Sequence, residues 1–167
     1  MSSDSRRVDP ATNGSGSRIF ISYCHKDKKF LDELLTHLSP LERAGRVSAW
    51  SDRQLEPGAP WLGKIQEALD SSSVVVMLVT SSFLASEFIH QYELTPALRA
   101  AKARILWVPV RACAYERTAL RDIQAVVSPA KPLAEMKAER DRAWVEICRA
   151  IEDAAEGGAA DAASGSP

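Results

Sequence analysis

Cys24 and His25 are adjacent in the sequence and carry the two groups that a cysteine nucleophile and its general base require. Both residues follow a short apolar run that ends at Tyr23. Neighbouring side chains on a strand point to opposite faces, so this thiol and this imidazole would diverge. We therefore interpret the pair as the end of a strand rather than as a catalytic dyad.

The remaining cysteines and histidines do not predict a metal site. The three cysteines are far apart and form no CxxC pair, and the three histidines have none of the spacings typical of zinc ligands. These residues are Cys24, Cys113, Cys148, His25, His37 and His90. We expect no metal and no bound cofactor.

The segment from Gly58 to Lys64, GAPWLGK, has the spacing of a phosphate-binding loop, G-x-x-x-x-G-K. The next residue should be Ser or Thr to hold magnesium, and here it is Ile65. Pro60 also removes an amide donor, and Trp61 adds bulk where backbone N–H groups would surround the phosphates. The sequence therefore argues against an ATPase or GTPase.

The composition is that of one folded domain with a balanced charge. Of 167 residues, 46% are hydrophobic, and Lys plus Arg number 21 against 22 for Asp plus Glu. Nucleic-acid binders usually carry a basic surplus, so direct binding of DNA or RNA is not expected. No apolar run approaches the roughly 20 residues that span a bilayer, and the polar N-terminus does not resemble a signal peptide. We expect a cytoplasmic protein without a membrane partner.

The two ends of the chain differ in composition from its middle. Residues 1–16 are mostly Ser, Asp, Arg, Gly and Asn, which predicts a disordered leader. Residues 156–167 are rich in Gly, Ala, Ser and Asp, as in a flexible tail or linker. This tail is either a tether to another domain or a frayed end. The folded domain is expected over residues 17–155.

Strand and helix patterns alternate through that domain. Strands are predicted over 18–23, 47–50, 74–79 and 105–110, with a short fifth strand over 125–127. Amphipathic helices are predicted over about 26–41, 61–69, 86–102 and 139–155. The run 74–79 is apolar throughout, as in a strand buried on both faces. This alternation predicts a parallel sheet with helices on both faces, and ligands bind such sheets outside the carboxyl ends of the strands.

Three segments in this order resemble the TIR (Toll/interleukin-1 receptor) domain, particularly its bacterial branch. They are RIFISYCHKD at the first strand, WSDRQLEPGAPW after the second and VTSSFLASEFIHQYEL after the third. The resemblance covers roughly residues 17–153. It implies a flavodoxin-like α/β three-layer sandwich, with a central parallel five-stranded sheet and helices on both faces.

The resemblance implies that Glu93 is catalytic, because enzymatic TIR domains cleave NAD at the nicotinamide–ribose bond with one glutamate on the third helix. In that helix Glu93 would lie at the rim of an apolar arc that includes Ile89 and Tyr92. One carboxylate suffices chemically, because nicotinamide leaves as a neutral molecule and the oxocarbenium-like ribose needs electrostatic stabilisation. The alternative is a solvated residue without a role in chemistry.

Ile89 departs from the family pattern. Catalytic members often carry an aromatic residue at this position, four residues before the glutamate, where it helps to hold the nicotinamide. Ile89 is accordingly placed among the substrate-binding positions, and stacking would have to come from another element, such as Trp50, Trp61 or Trp107. Trp61 and Trp107 are expected to be core residues.

Two further pairs of residues are predicted to contact the substrate. Ser22 and Tyr23 end the first strand, at the mouth of the expected cleft. Asp52 and Arg53 follow the second strand, and a guanidinium offers two parallel donors to a pyrophosphate. The alternative for Asp52 and Arg53 is a surface ion pair of little energy.

The loop over 51–60 stands where the family has its assembly loop, and Leu55, Pro57 and Gly58 are its predicted assembly residues. In the family this loop moves or docks when domains stack, which completes a site shared by two subunits. The resemblance thus implies self-association through TIR–TIR contacts, and a sensor domain or partner protein that gathers the copies.

These inferences predict an NAD glycohydrolase that self-assembly activates, as the effector of a bacterial anti-phage defence system. NAD is then the substrate, and nicotinamide with ADP-ribose or a cyclic ADP-ribose are the products. One alternative is a non-catalytic adaptor that binds other TIR domains. A third is a transferase or base-exchange enzyme that shares the site and differs in its acceptor.

Overall fold

A computed structural model describes residues 16–51, 70–85 and 103–163, with side chains described up to Gly157. The elements bounded within these ranges are β1 (Ser17–Ser22), α1 (Lys28–Arg43), β2 (Val47–Ser51), β3 (Val74–Val79), α2 (Ser81–Leu84), β4 (Arg104–Pro109) and α3 (Arg140–Ala163). Single 3-10 turns occupy His25–Asp27, Tyr115–Arg117, Ala119–Asp122 and Leu133–Glu135. The four main strands thus lie within one residue of their predicted bounds.

The sheet is parallel throughout and has the strand order β2-β1-β3-β4. In the central pair, Ile19 of β1 is opposite Val74 of β3, and Ile21 is opposite Val76. All six residues of β3 are buried, as expected for a strand that is covered on both faces. The prediction of a flavodoxin-like α/β fold is therefore confirmed, with four strands in the described sheet.

α1 and α3 cover one face of this sheet. Their inward side chains are at most 1% exposed: Phe30, Leu31, Leu34 and Leu38 from α1, and Trp144, Ile147 and Ile151 from α3. They pack against one alternate set of strand residues, which includes Ile19, Ile21 and Val76. Burying each large apolar side chain contributes roughly 1.5–3 kcal/mol, so this cluster is a main source of stability.

The opposite face of the sheet carries the other alternate set of strand residues. Phe20, Met77 and Trp107 lie there and are at most 2% exposed. They pack with Phe83 of α2 and with Leu120 of a 3-10 turn. Both faces of the sheet are thus covered, as the sequence pattern predicts.

α1 ends at a position that requires glycine. Gly45 has a φ of 75°, in the left-handed region that glycine enters without a steric penalty. Its amide donates to the carbonyl of Glu42 (3.0 Å), and the amide of Arg46 donates to the carbonyl of Leu41 (2.9 Å), which are the two bonds of a Schellman motif. The Glu42 carboxylate then accepts a bond from the amide of Ala49 (3.0 Å). This turn sets the direction in which the chain enters β2.

The predicted fifth strand over 125–127 is not confirmed. In the part of the chain that the structure describes, it is reduced to one parallel bridge between Trp107 and Ala125, with a bond from the Val126 amide to the Trp107 carbonyl (3.0 Å). Parallel pairing uses the amide of every second residue, so the next donor on β4 is residue 109. That residue is Pro109, which has no N–H, and the pairing stops after one bridge.

The helices differ from the prediction at their ends. α3 begins within one residue of its predicted start but continues to Ala163, where a linker was expected from residue 156. Alanine is the strongest helix former, and a helix that is already anchored extends at little cost. α2 is a short helix that was not predicted, and Thr80 caps it. The predicted helices over 61–69 and 86–102 and residues 1–15 lie outside the described residues. The division into leader, domain and tail stays a prediction.

Glu33 joins α1 to the beginning of α3. Its Oε1 accepts a hydrogen bond from Trp144 Nε1 (2.8 Å), and its Oε2 accepts one from Arg140 (3.2 Å). Arg140 also donates to the carbonyl of Leu133 (3.3 Å). Hydrogen bonds to charged groups are stronger than neutral ones, so these contacts orient α3 on α1.

We expect Trp144→Phe to lower the free energy of unfolding by about 1–3 kcal/mol, because the indole N–H leaves Glu33 and part of the buried ring is lost. Chemical denaturation followed by circular dichroism measures this change. The neighbouring variant Val145→Ala is the control, since Val145 is 46% exposed and its loss should change stability by less than about 0.5 kcal/mol. Equal losses in the two variants would contradict the assignment.

Glu139 lies directly before α3, and its carboxylate connects this helix to the preceding turn. Its carboxylate accepts bonds from Lys131 Nζ (2.5 Å) and from the amide of Lys137 (3.2 Å). The Lys131 bond, followed by the backbone bonds, lowers the pKa of Glu139 from 4.5 to about 2. A carboxyl whose pKa is lowered by folding stabilises the fold above its unfolded pKa, and this contribution disappears as the pH falls towards 2.

Glu139→Gln should therefore lower the melting temperature at neutral pH, and the difference from wild type should shrink between pH 4.5 and about 2. Because the carboxylate is exposed, added salt should reduce the difference as well. Melting temperatures over a pH series, at low and high salt, measure both effects. A difference that does not change with pH would show that the charge of Glu139 is not involved.

Candidate functional site

Polar side chains gather where the strands end. Ser22 ends β1 and Ser51 ends β2, whereas Thr80 directly follows β3 and Arg111 lies two residues beyond the end of β4. Because the strands are parallel, all four positions lie at the same edge of the sheet. Open α/β sheets bind ligands in the crevice outside this edge. It is therefore the candidate site.

Ser22 and Tyr23 lie at this edge, as predicted, but both are buried, with 5% and 6% of their surface exposed. Tyr23 packs into the apolar cluster beneath α1 and α3, and its ring centre is 5.6 Å from that of His25. Ser22 is paired with Met77 in the register of β1 and β3. Their burial leaves little side-chain surface for a ligand, and their contact with a substrate stays a prediction.

The cysteine side chains pack against apolar residues, as small apolar groups do. Cys24 is half-buried against the Phe20 face of the sheet, whereas His25 is exposed beside the ring of Tyr23. Burial raises the pKa of Cys148 to about 11, and burial is also the main cause that raises the pKa of Cys113. The thiols of Cys113 and Cys148 are therefore held in the protonated, unreactive form near neutral pH.

Asp27 is the one charged residue that is buried within the described ranges, with 5% of its surface exposed. It ends the 3-10 turn after β1, where its amide donates to the carbonyl of Cys24 (2.7 Å). Its Oδ2 accepts a hydrogen bond from the Thr80 hydroxyl (2.7 Å). The same hydroxyl oxygen accepts a bond from the amide of Phe83 (3.0 Å) and so caps α2. One hydroxyl therefore joins the loop after β1 to the loop after β3.

Arg111 reaches the same carboxylate from the loop after β4. Its Nε lies 3.7 Å from Asp27 Oδ1, and its side chain is 53% exposed. The guanidinium carbon is 5.3 Å from the ring centre of Phe30, within the range of a cation–π contact. Arg111 is thus oriented by a carboxylate and a ring while it stays open to solvent, a state in which a guanidinium can bind anionic groups. Three loops meet at Asp27.

Sequence analysis did not single out Asp27, Thr80 or Arg111. Asp27 stands directly before α1, where an aspartate is expected to cap the helix, but its side chain makes no cap bond and contacts Thr80 instead. Thr80 was detectable as a cap, because threonine between a buried strand and a helix favours that role. The contact between the two was not detectable, since 53 residues separate them along the chain.

Two of the three tryptophans considered for nicotinamide stacking are described. Trp107 is 1% exposed and donates from Nε1 to the carbonyl of Ile123 (2.7 Å), so it is a core residue as expected. Trp50 is half-buried near the end of β2, with its ring centre 4.7 Å from that of Phe20. The guanidinium carbon of Arg18 lies 5.4 Å from the centre of the same ring. Stacking of nicotinamide on Trp50 stays a prediction.

The remaining predicted site residues lie outside the described residues, and their roles stay predictions. They are Glu93 and Ile89, Asp52 and Arg53, and the assembly residues Leu55, Pro57 and Gly58. Within the described ranges, no cluster of three or more His, Cys, Asp or Glu side chains could hold a metal ion. A search of the same residues finds no helix with the length and apolar character needed to span a membrane.

Comparison with known proteins places this chain in a family. A family model for the TIR domain matches residues 19–140, which is most of the chain. The chain is also similar to the uncharacterized protein y4lF of Sinorhizobium fredii, with 27% identity over 140 residues. That match covers 82% of this chain and 43% of the relative, so the chain spans less than half the length of the protein it matches.

We expect Asp27→Ala to lower the free energy of unfolding by about 1–3 kcal/mol, because the buried Thr80 hydroxyl loses its acceptor. Arg111→Ala should lower it by less than about 1 kcal/mol, because Arg111 is largely solvated. Denaturation of both variants at the same salt concentration tests this order. A larger loss for Arg111→Ala would show that the ion pair, rather than the Thr80 bond, holds the three loops together.

Proposed function

This chain belongs to the TIR domain family, and we propose that it acts as an NAD glycohydrolase. The reaction cleaves the bond between nicotinamide and ribose and yields nicotinamide with ADP-ribose or a cyclic ADP-ribose. The family match carries this proposal, because TIR domains include enzymes of this activity and the matched range contains Glu93 and most of β1.

The carboxyl edge of the sheet supports the proposal physically. It combines the position at which α/β sheets bind ligands with an exposed, oriented cation, Arg111. NAD carries an anionic pyrophosphate, and a guanidinium can donate two parallel bonds to phosphate oxygens. Arg111 is therefore a second candidate for the pyrophosphate contact, beside Arg53.

Glu93 is the proposed catalytic residue. Its carboxylate would stabilise the positive charge that develops on the ribose as nicotinamide departs, and it would also bind ribose hydroxyls. No general acid is needed, because the leaving group departs from a cationic ring as a neutral base. The reaction then depends on where one carboxylate is held, which makes the geometry of the segment before it important.

We further propose that assembly controls the activity. Leu55, Pro57 and Gly58 would dock between stacked TIR domains and complete a site shared by two subunits. Activity would stay low until a sensor domain or partner protein gathers copies in the cytoplasm, as in an anti-phage effector. The relative from Sinorhizobium fredii, of which the matched part is 43%, is long enough to carry a further domain beside the shared one.

A non-catalytic adaptor is the second candidate, and Ile89 favours it, because an aromatic residue often stands there in catalytic members. Such an adaptor would bind other TIR domains through the same assembly loop. It would not depend on the carboxylate of Glu93, provided that the fold survives, and this difference separates the two candidates.

The test measures NAD loss and nicotinamide release for wild type and Glu93→Ala, in dilute solution and on a tethering surface. We expect wild type to cleave NAD, tethering to raise its rate, and Glu93→Ala to lose activity by about 100-fold or more, because it removes the electrostatic stabilisation of the transition state. A free pyridine base added to the assay reports base exchange by the appearance of an exchanged dinucleotide.

Glu87→Ala is the matched control. It removes a carboxylate from the same predicted helix, at a position separated from Glu93 by about 120° around the axis, since six residues turn the helix by roughly 100° each. This variant should retain wild-type activity. Absence of NAD loss in every tethered sample would favour the adaptor, and full turnover by a strictly monomeric sample would overturn the proposal that assembly is required.

A further inference from the structure

We propose that Asp27 is a positioning residue for the NAD reaction, acting through Thr80 on the segment that leads to Glu93. This inference rests on the proposed function and deepens it. Asp27 holds the Thr80 hydroxyl (2.7 Å), and Thr80 holds the first turn of α2 through the amide of Phe83 (3.0 Å). Glu93 lies nine residues after the end of α2 in the sequence, so this bond fixes the described element that precedes it.

The bond between Asp27 and Thr80 is suited to fixing geometry. Asp27 is 5% exposed and Thr80 is 1% exposed, so water does not compete for the bond. A buried carboxylate is unfavourable unless it is hydrogen-bonded, and this one has a short bond to the hydroxyl and the Arg111 guanidinium 3.7 Å from its other oxygen. Moving the loop after β3 would break this bond and leave the buried Thr80 hydroxyl without its acceptor.

A purely local role explains these contacts less well. Asp27 stands at the N-cap position of α1, yet its side chain makes no cap bond there. Its carboxylate instead contacts a residue 53 positions away, on the far side of β3 in the chain order. For stability alone, an apolar pair of similar volume is often as good as a buried ionic one. The arrangement is therefore better explained if function requires the loops after β1 and β3 to keep a fixed relative position at the carboxyl edge of the sheet.

Arg111 extends the same arrangement to a third loop. It contacts Asp27 at the oxygen that Thr80 does not use, and its side chain is 53% exposed. The carboxylate of Asp27 thus has one oxygen for the segment that leads to the catalytic residue and one near a solvent-facing cation. Asp27 is placed to set the distance between the start of α2 and the Arg111 guanidinium.

The test compares Thr80→Val with wild type for kcat and KM of NAD cleavage, using the full chain on a tethering surface. Valine keeps the volume of threonine and removes the hydroxyl. We expect kcat to fall about 10- to 100-fold with KM nearly unchanged, because a displaced catalytic group affects the transition state. Amide exchange of Phe83, read by NMR, should become about tenfold faster as its bond to the hydroxyl is lost.

Thr80→Ser is the rescue variant and should recover most of kcat, because it restores the hydroxyl. Thr118→Val is the matched control: Thr118 caps a 3-10 turn by accepting a bond from the Leu120 amide (3.1 Å), in the same way that Thr80 caps α2. It should alter exchange near Leu120 and leave kcat unchanged. If Thr80→Val does not fold, Asp27→Ala replaces it, since alanine removes the acceptor of the Thr80 hydroxyl and leaves the Thr80 cap of α2 in place, and kcat should again fall with KM nearly unchanged.

The outcomes separate this inference from the proposed function. Cleavage by wild type with an unchanged kcat in Thr80→Val, or in Asp27→Ala where that variant takes its place, overturns the positioning role alone. A fall in kcat that serine does not rescue, or that Thr118→Val reproduces, also overturns it. Absence of cleavage by wild type on the tethering surface overturns the proposed function, and the positioning role falls with it.

Discussion

The parallel pairing of β1 with β3 is the contact on which the rest of the structure depends. Each strand is apolar on both faces, so neither can face water, and the pair is stable only when both of its faces are covered. That requirement draws α1 and α3 onto one side and Phe83 and Leu120 onto the other. It also brings the ends of the two strands side by side, and so sets the spacing between Tyr23 and Thr80 at the ligand edge.

The segments that connect the strands and helices then determine where the loops lie. The glycine turn after α1 directs the chain into β2, while Glu33 sets α3 on α1 through Trp144 and Arg140. Pro109 prevents a further strand from pairing beyond its first bridge with β4, because it has no amide to donate. The described sheet therefore has four strands. The loop after β4 places Arg111 beside Asp27.

Burial strengthens the contact between Asp27 and Thr80 at the carboxyl edge of the sheet. An exposed Asp–Arg pair would be weak and adaptable, whereas Asp27 is enclosed and its bond to Thr80 excludes water. In the proposed mechanism a single carboxylate carries the chemistry, so the rate depends on where that carboxylate is held. Under that proposal, the buried contacts behind the edge matter for function as well as the side chains that touch the substrate.

The sequence alone determined the order and type of the strands, the covered faces and the family, because hydrophobic periodicity and three ordered motifs are local properties. It also identified Trp107 as core. The fifth strand is not confirmed, because Pro109 has no amide for a second bridge, and α3 continues past its predicted end because its alanine-rich last turns favour a helix. Only the tertiary structure decided that Asp27 binds Thr80 rather than capping its own helix, because the partner is 53 residues away and the pairing of β1 with β3 brings it within reach.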